Sequence, residues 1–89
     1  MKLELFTSDT CVNCRMLKKN LKEVLKEIGE DYGGVVLERN IDNDSDALAD
    51  LLMLNLDSVP VIRIGNRVYE WDSVKERESL KRALMAHKK

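Results

Sequence analysis

Two cysteines separated by two residues are the side chains of this sequence best suited to covalent chemistry. Cys11 and Cys14 are the only cysteines among its 89 residues. Residues three apart on a helix share one face, so the two sulfurs can come within bonding distance. At a helix N-terminus, free amides and the helix dipole would stabilise a Cys11 thiolate, and Cys14 could then attack the mixed disulfide that Cys11 forms. The pair therefore indicates thiol–disulfide exchange.

Hydrophobic periodicity predicts the elements that must position these cysteines. An alternating strand is followed by a helical pattern that starts at Cys11, where Thr10 can cap it, and ends where Gly29 can turn left-handed. The predicted strands cover residues 2–6, 35–41, 61–64 and 67–71, and the predicted helices cover 11–28, 47–55 and a closing segment after a Ser73–Glu76 capping box. Gly65 and Asn66 join the last two strands as a hairpin. The order βαβαββα predicts an α/β fold with a four-stranded mixed sheet and three helices.

Composition and charge restrict the classes of function. The formal net charge is -1, with 15 basic and 16 acidic side chains interspersed, which argues against a nucleic-acid partner. The lysine-rich stretch 18–26 also contains Glu23 and Glu27, so we expect it to be an ordinary solvated helix face. The N-terminus lacks the apolar run of a signal peptide or membrane span, so we expect a cytoplasmic location and no membrane partner. The length fits one domain over residues 1–89, which we expect to be a monomer. In a reducing compartment, a close cysteine pair is catalytic or metal-binding rather than structural.

Pro60 completes a pattern that extends beyond the cysteines. With a strand, the CVNC helix, a βαβ unit and then SVPV in order, the chain resembles the thioredoxin and glutaredoxin superfamily over nearly its full length. Its length and ββα ending are most similar to compact glutaredoxin-type members, including small redoxins that reduce ribonucleotide reductase. The resemblance implies a cis Val59–Pro60 bond beside the cysteines and a Val59 backbone that pairs with an extended substrate segment. The substrate-binding residues that it implies are Val12, Asn13, Ser58, Val59, Pro60 and Trp71.

The chain also departs from the family pattern. Glutaredoxins carry a Gly-Gly pair where this chain has Glu70 and Trp71, and these larger side chains should obstruct glutathione. Longer thioredoxins have a buried acid where this chain has Leu5, so the proton acceptor for Cys14 is open. We therefore expect protein disulfides as substrates, a flavin-dependent enzyme such as thioredoxin reductase as the reductant, ribonucleotide reductase as a client, and no cofactor.

Alternatives remain open at this point. A glutathione-dependent glutaredoxin would carry the same CxxC motif. A metal or iron–sulfur scaffold would need ligands from two chains, because a structural zinc takes four ligands and the sequence offers two cysteines and His87. Trp71 is expected to pack the last strand against the final helix, or else to cover the cysteines and contact a partner.

Overall fold

Four strands and five helices make up residues 1–88, which the computed structural model describes. The strands are β1 (Leu3–Thr7), β2 (Val36–Asn40), β3 (Val61–Ile64) and β4 (Arg67–Glu70), and the helices are α1 (Val12–Glu27), α2 (Tyr32–Val35), α3 (Ser45–Met53), α4 (Trp71–Val74) and α5 (Arg77–Met85). No helix within this range is long and apolar enough to cross a membrane.

The strands form one mixed sheet in the order β2-β1-β3-β4. β1 runs parallel to β2 and antiparallel to β3, with Phe6 opposite Val61. β3 and β4 form the expected hairpin, in which Gly65 has a φ of 59°, a left-handed conformation that glycine adopts without steric cost. Because β1 and β3 are antiparallel, the carboxyl end of β1 lies beside the amino end of β3.

Buried apolar side chains cover both faces of the sheet. The first cluster packs α1 and α5 on one face and contains Leu3, Leu5, Leu17, Leu21, Val24, Leu25, Ile28, Val35, Ile62, Ile64, Val74, Leu80 and Leu84. The second cluster packs α3 on the other face and contains Phe6, Ala47, Leu51 and Val61. Burying each leucine contributes roughly 1.5–3 kcal/mol relative to leaving it in water. This burial fixes α1 on the sheet and determines where its first turn lies.

The helix count is five within residues 1–88, where the sequence predicted three, and the two additional helices are short. α2 covers a segment where the sequence predicted no helix, and its last residue, Val35, was predicted to begin the second strand. Its N-cap is Asp31, whose carboxylate accepts a hydrogen bond of 3.1 Å from the amide of Gly34. This cap satisfies an amide of the single turn that leads into β2.

The second additional helix arises because the closing segment, predicted as one helix, is divided into α4 and α5. Trp71 begins α4 instead of ending the last strand. Ser73 lies inside α4, and Glu76, at the N-cap of α5, makes no side-chain capping bond, so the capping box predicted for Ser73 and Glu76 was wrong. The Thr10 cap was also wrong, because Cys11 occupies the N-cap position of α1.

A charged network supports the α3 side of the sheet. Glu4 accepts hydrogen bonds from Arg39 at 2.8 Å and from Arg63 at 2.7–3.0 Å, and Arg39 also binds Asp50 of α3. The two guanidinium groups lie 5.5 and 5.6 Å from the centre of the Phe6 ring. Burial of Glu4 opposes its ionisation, but the bonds from both arginines outweigh burial and hold the pKa of Glu4 below its ordinary value of 4.5.

Glu4→Gln is expected to destabilise the protein by roughly 1–3 kcal/mol at neutral pH, because it leaves partly buried Arg63 without its anion and leaves Arg39 with Asp50 alone. A carboxyl with a lowered pKa in the folded state stabilises above its unfolded pKa, and this contribution disappears as pH falls through the lowered value. The difference between the variant and the wild type should therefore shrink below pH 4.5. Urea unfolding of both proteins at several pH values measures this difference in the free energy of unfolding.

The matched control is Glu76→Gln, which removes an exposed carboxylate that makes no capping bond. We expect this change to alter the free energy of unfolding by less than about 0.5 kcal/mol. Equal losses in the two variants would show that the network around Glu4 does not stabilise the fold.

Candidate active site

Cys11 and Cys14 are joined as a disulfide at the start of α1. Their Cα atoms are 5.2 Å apart. Cys11 is the N-cap of the helix, and its sulfur accepts a hydrogen bond of 3.0 Å from the backbone amide of Cys14. Cys11 is half-buried, whereas Cys14 is only 2% exposed. The two sulfurs are therefore unequal, and solvent reaches the first one.

The connection before β3 lies against the disulfide. The peptide bond between Val59 and Pro60 is cis, as the resemblance implied. The carbonyl oxygen of Val59 lies 3.7 Å from the sulfur of Cys11. Pro60 is buried and Val59 is half-buried. The main chain of Val59 thus reaches the reactive sulfur at the point where β3 begins.

A polar network ties the turn before Cys11 to the end of β2. Asn40 donates a hydrogen bond of 2.7 Å to the carboxylate of Asp9, and the backbone amide of Asp9 donates one of 2.8 Å to the carboxylate of Asp42. The side-chain oxygen of Asn40 accepts a bond of 2.8 Å from the amide of Asp42, which closes the network. This polar network was not predicted from the sequence. Three adjacent turn-forming residues follow the strand, at positions 42–44, and they were a signal that could have indicated it.

The other predicted binding residues surround the disulfide to different degrees. Val12 is 64% exposed immediately after Cys11, and Asn13 is exposed beside it. Ser58 is exposed in the connection that carries Val59. These positions are free to contact a partner.

Trp71 follows the end of β4, which lies beside the start of β3. Glu70 pairs with Val61, the residue after the cis proline. Trp71 is half-buried and packs against the first cluster, which agrees with the packing role expected for it. The exposed carboxylate of Glu70 therefore stands at the same end of the sheet as the disulfide.

A buried threonine, which was not predicted as a site residue, lies at the end of β1 that precedes the cysteines. Leu5 is fully buried in the first cluster, and the neighbouring carboxylate of Glu4 points to the opposite face of the sheet. Thr7 is 4% exposed, and strand alternation places it on the same face as Leu5. Because α1 packs back along β1, Thr7 and the buried Cys14 lie at the same end of the layer between them.

Within residues 1–88, no group of three or more histidine, cysteine, aspartate or glutamate side chains is arranged to hold a metal ion. His87, the remaining candidate ligand, lies at the other end of the chain, where its Nε2 is 3.0 Å from the hydroxyl of Tyr69.

Comparison with known proteins agrees with this architecture. The family model described as Glutaredoxin matches residues 3–69. The chain therefore belongs to the glutaredoxin family, as a small glutaredoxin-like member of the thioredoxin superfamily. The match, together with the Cys11–Cys14 pair, supports thiol–disulfide oxidoreductase activity in general. None of the curated proteins matches the chain in sequence.

Solved structures show the same fold. The thioredoxin-like protein BC3987 has a TM-score of 0.64 at 24% identity, with 89% of this chain and 99% of that chain covered. A point mutant of that protein has a TM-score of 0.67 at 24% identity, with 93% and 99% covered. The glutaredoxin-like protein NrdH-redoxin from Escherichia coli has a TM-score of 0.59 at 21% identity, with 79% and 82% covered. At these identities the likeness establishes the thioredoxin-like fold.

Thr7→Val is expected to slow the step in which Cys14 attacks a mixed disulfide by about tenfold, because a hydrogen bond to a charged group contributes roughly 1.5–3 kcal/mol. The premise of this prediction is that the Thr7 hydroxyl donates such a bond to the Cys14 sulfur once the disulfide is reduced. The rate of release from a preformed mixed disulfide, measured against pH, should shift to higher pH in the variant.

Thr7→Ser is the matched control, since it keeps the hydroxyl and removes the methyl group. It should release the mixed disulfide with nearly the wild-type pH profile. If Thr7→Val also keeps that profile, the hydroxyl has no role in ionising Cys14.

Proposed function

We propose that this protein is a dithiol–disulfide oxidoreductase that carries electrons to disulfides of other proteins. The observation that carries the proposal is the unequal pair of sulfurs at the tip of α1. Cys11 is accessible to solvent and Cys14 is 2% exposed. The family match and the cis Val59–Pro60 bond beside Cys11 support the same activity.

The exchange proceeds in two steps that begin from the reduced protein. The Cys11 thiolate attacks one sulfur of the substrate disulfide, which breaks the substrate S–S bond and releases its other sulfur as a thiolate that takes up a proton. Deprotonated Cys14 then attacks the Cys11 sulfur of the mixed disulfide. The second substrate sulfur leaves as a thiol, and the protein retains the Cys11–Cys14 disulfide seen in the structure. Two electrons and two protons have passed to the substrate.

The α1 helix assists each step through its position. Free amides at its N-terminus and its dipole stabilise the anion on Cys11 before attack and when Cys11 leaves. The amide of Cys14, which contacts the Cys11 sulfur at 3.0 Å, is one such donor. The chemistry therefore depends on the helix tip itself.

The surroundings of the disulfide favour a protein substrate. A surface cavity of about 570 Å³ lies near Lys2, Gly34 and Gly65, at the end of the sheet opposite the cysteines. Around Cys11 the surface instead offers the exposed side chain of Val12 and the main chain of Val59. An extended client segment can add its backbone to Val59 as an extra strand.

The reductant that fits best is a flavin-dependent disulfide reductase such as thioredoxin reductase, and ribonucleotide reductase is a suitable client. Both proposals follow from the resemblance to small ribonucleotide-reductase redoxins. The Glu70 carboxylate and the Trp71 indole at the positions of the glutaredoxin Gly-Gly pair support a reductant other than glutathione. A cytoplasmic location, where such reductases keep thiols reduced, is part of the same proposal.

Cysteine variants test the assigned roles. Cys11→Ser is expected to abolish disulfide reduction, and Cys14→Ser to accumulate a stable mixed disulfide with the client, because the resolving sulfur is missing. Mass spectrometry of the trapped complex, formed with a protein disulfide and quenched with acid, measures this accumulation. Cys11→Ser is the control for this trapping experiment and should form no mixed disulfide, because it lacks the attacking sulfur. Full turnover by Cys14→Ser on protein disulfides would reverse the assignment.

Glutathione-coupled turnover is expected to be poor in the wild type and to rise in Glu70→Gln by about twofold or more, because the change removes a charge that repels an anionic tripeptide. The assay supplies glutathione, glutathione reductase and a small disulfide. Glu76→Gln, which removes an equally exposed carboxylate elsewhere, should leave the rate unchanged. High glutathione turnover by the wild type would favour a glutathione-dependent glutaredoxin.

A further inference from the structure

The charged residues of α1 are segregated onto different sides of the helix. Glu23 and Glu27 both form salt bridges with Arg77 of α5, at 3.4 and 3.0 Å. The stretch 18–26 is solvated, as expected, since Lys19, Lys22, Glu23 and Lys26 are exposed. The salt bridges within residues 1–88 add that the carboxylates of α1 pair with α5 and form no salt bridge with the lysines of α1.

The basic residues form one continuous stripe along another side of α1. Each member has another member three or four residues away, which is the spacing of neighbours on one face of a helix. The α1 basic stripe consists of Arg15, Lys18, Lys19, Lys22 and Lys26. Cys11 precedes Arg15 by four positions, so the stripe leads directly to the reactive sulfur.

Contacts within the chain show where the stripe lies and how much of its charge is free. Lys18 pairs with Glu38 of β2 at 2.5 Å, and the Lys22 ammonium lies 5.2 Å from the centre of the Tyr32 ring. The stripe therefore runs along the side of α1 that faces α2 and the edge strand β2. Within residues 1–88, Arg15, Lys19 and Lys26 are exposed and form no salt bridge.

Apolar side chains border the stripe next to the disulfide. Val12 and Met16 are four residues apart on α1 and are 64% and 51% exposed. An exposed apolar pair beside free positive charge is typical of a surface that contacts another protein, because apolar contact adds to charge attraction. Nucleic acid would meet the charge but would gain little from Val12 and Met16.

We propose that the α1 basic stripe docks an acidic segment of the protein that exchanges disulfides with Cys11. This inference rests on the proposed function and adds the chemistry of the partner: carboxylates on one side of its reactive disulfide and an apolar residue near it. Opposite charges raise the rate of productive encounter and set the orientation of the two proteins. The acidic segment lies along α1 toward β2 and brings the partner disulfide to the tip of the helix.

The test compares matched peptide disulfides that differ only in flanking residues, which are glutamates, glutamines or lysines. Wild-type protein is expected to reduce the glutamate peptide roughly tenfold faster than the lysine peptide at low ionic strength, and the ratio should approach one at about 0.5 M salt. The triple variant Lys19→Gln/Lys22→Gln/Lys26→Gln should lose most of this preference. Both proteins should reduce hydroxyethyl disulfide, a small uncharged substrate, at equal rates.

The matched control is Lys75→Gln/Lys81→Gln/Arg82→Gln, which removes the same positive charge from α5 and from Lys75, the residue that follows α4. It should keep the wild-type preference for the glutamate peptide, because this preference depends on the charges of the α1 basic stripe and not on the net charge of the protein. An equal loss of preference in both variants, or no preference in the wild type, would overturn the inference.

A second measurement separates this inference from the proposed function. Fluorescence anisotropy of a cysteine-free, glutamate-rich peptide reports docking without any redox step, and its binding should weaken in the triple α1 variant alone. If hydroxyethyl disulfide is reduced but the acidic peptide does not bind, the docking inference fails and the oxidoreductase stands. If the acidic peptide binds but no disulfide is reduced, the oxidoreductase fails and the acidic docking surface stands. If a single-stranded oligonucleotide binds more tightly than the peptide, the inference that the partner of the stripe is a protein fails.

Discussion

The antiparallel pairing of β1 with β3 is the constraint on which the candidate site depends. β1 ends just before the turn that leads to Cys11, and β3 begins just after Pro60, so antiparallel strands bring these two ends together although Cys11 and Val59 are 48 residues apart in sequence. Burial fixes the register. Phe6 and Val61 are opposite each other in the second cluster, and Leu5 and Ile62 are opposite each other in the first. A slip of one residue would move each pair to the wrong face, so hydrophobic packing determines the position of the Val59 carbonyl beside the sulfur.

α1 carries separate tasks on separate faces. Its leucines hold it on the sheet, the two carboxylates in its second half bind Arg77 of α5, its basic stripe faces solvent, and its first amides surround the Cys11 sulfur. These tasks are nearly independent in energy. Exposed ion pairs contribute at most about 1 kcal/mol, whereas burial of the leucines contributes several times more. The fold therefore tolerates changes in the outer charges of α1, and these charges can be adapted to a partner without moving the disulfide.

The sequence predicted the four strands, the parallel and antiparallel pairs, the helix at the cysteines and the left-handed Gly29, because each depends on a local periodic or turn signal. It also predicted the cis bond at Pro60, through resemblance alone. What it missed depends on contacts between distant segments. The bond between Asp9 and Asn40 joins a turn to the end of β2, and the Glu4 network joins three strands and α3. The sequence predicted that residues 18–26 form a solvated face, and Lys19, Lys22 and Lys26 are exposed, but only the packing of α5 shows that the glutamates of α1 bind Arg77.

The positive charge near the disulfide is confined to α1, and this limits how a partner can approach. The basic stripe runs along α1, while exposed carboxylates stand at both edges of the sheet at this end: Asp42 after β2, and Glu70 at the end of β4. An acidic partner is attracted along the helix and repelled at the two edges, so an approach along α1 is favoured over one across either edge. The Glu70 carboxylate also acts against a small anion that must sit near it. The thioredoxin-like fold thus supplies the reactive cysteine pair, and the charges on either side of it select the molecules that reach it.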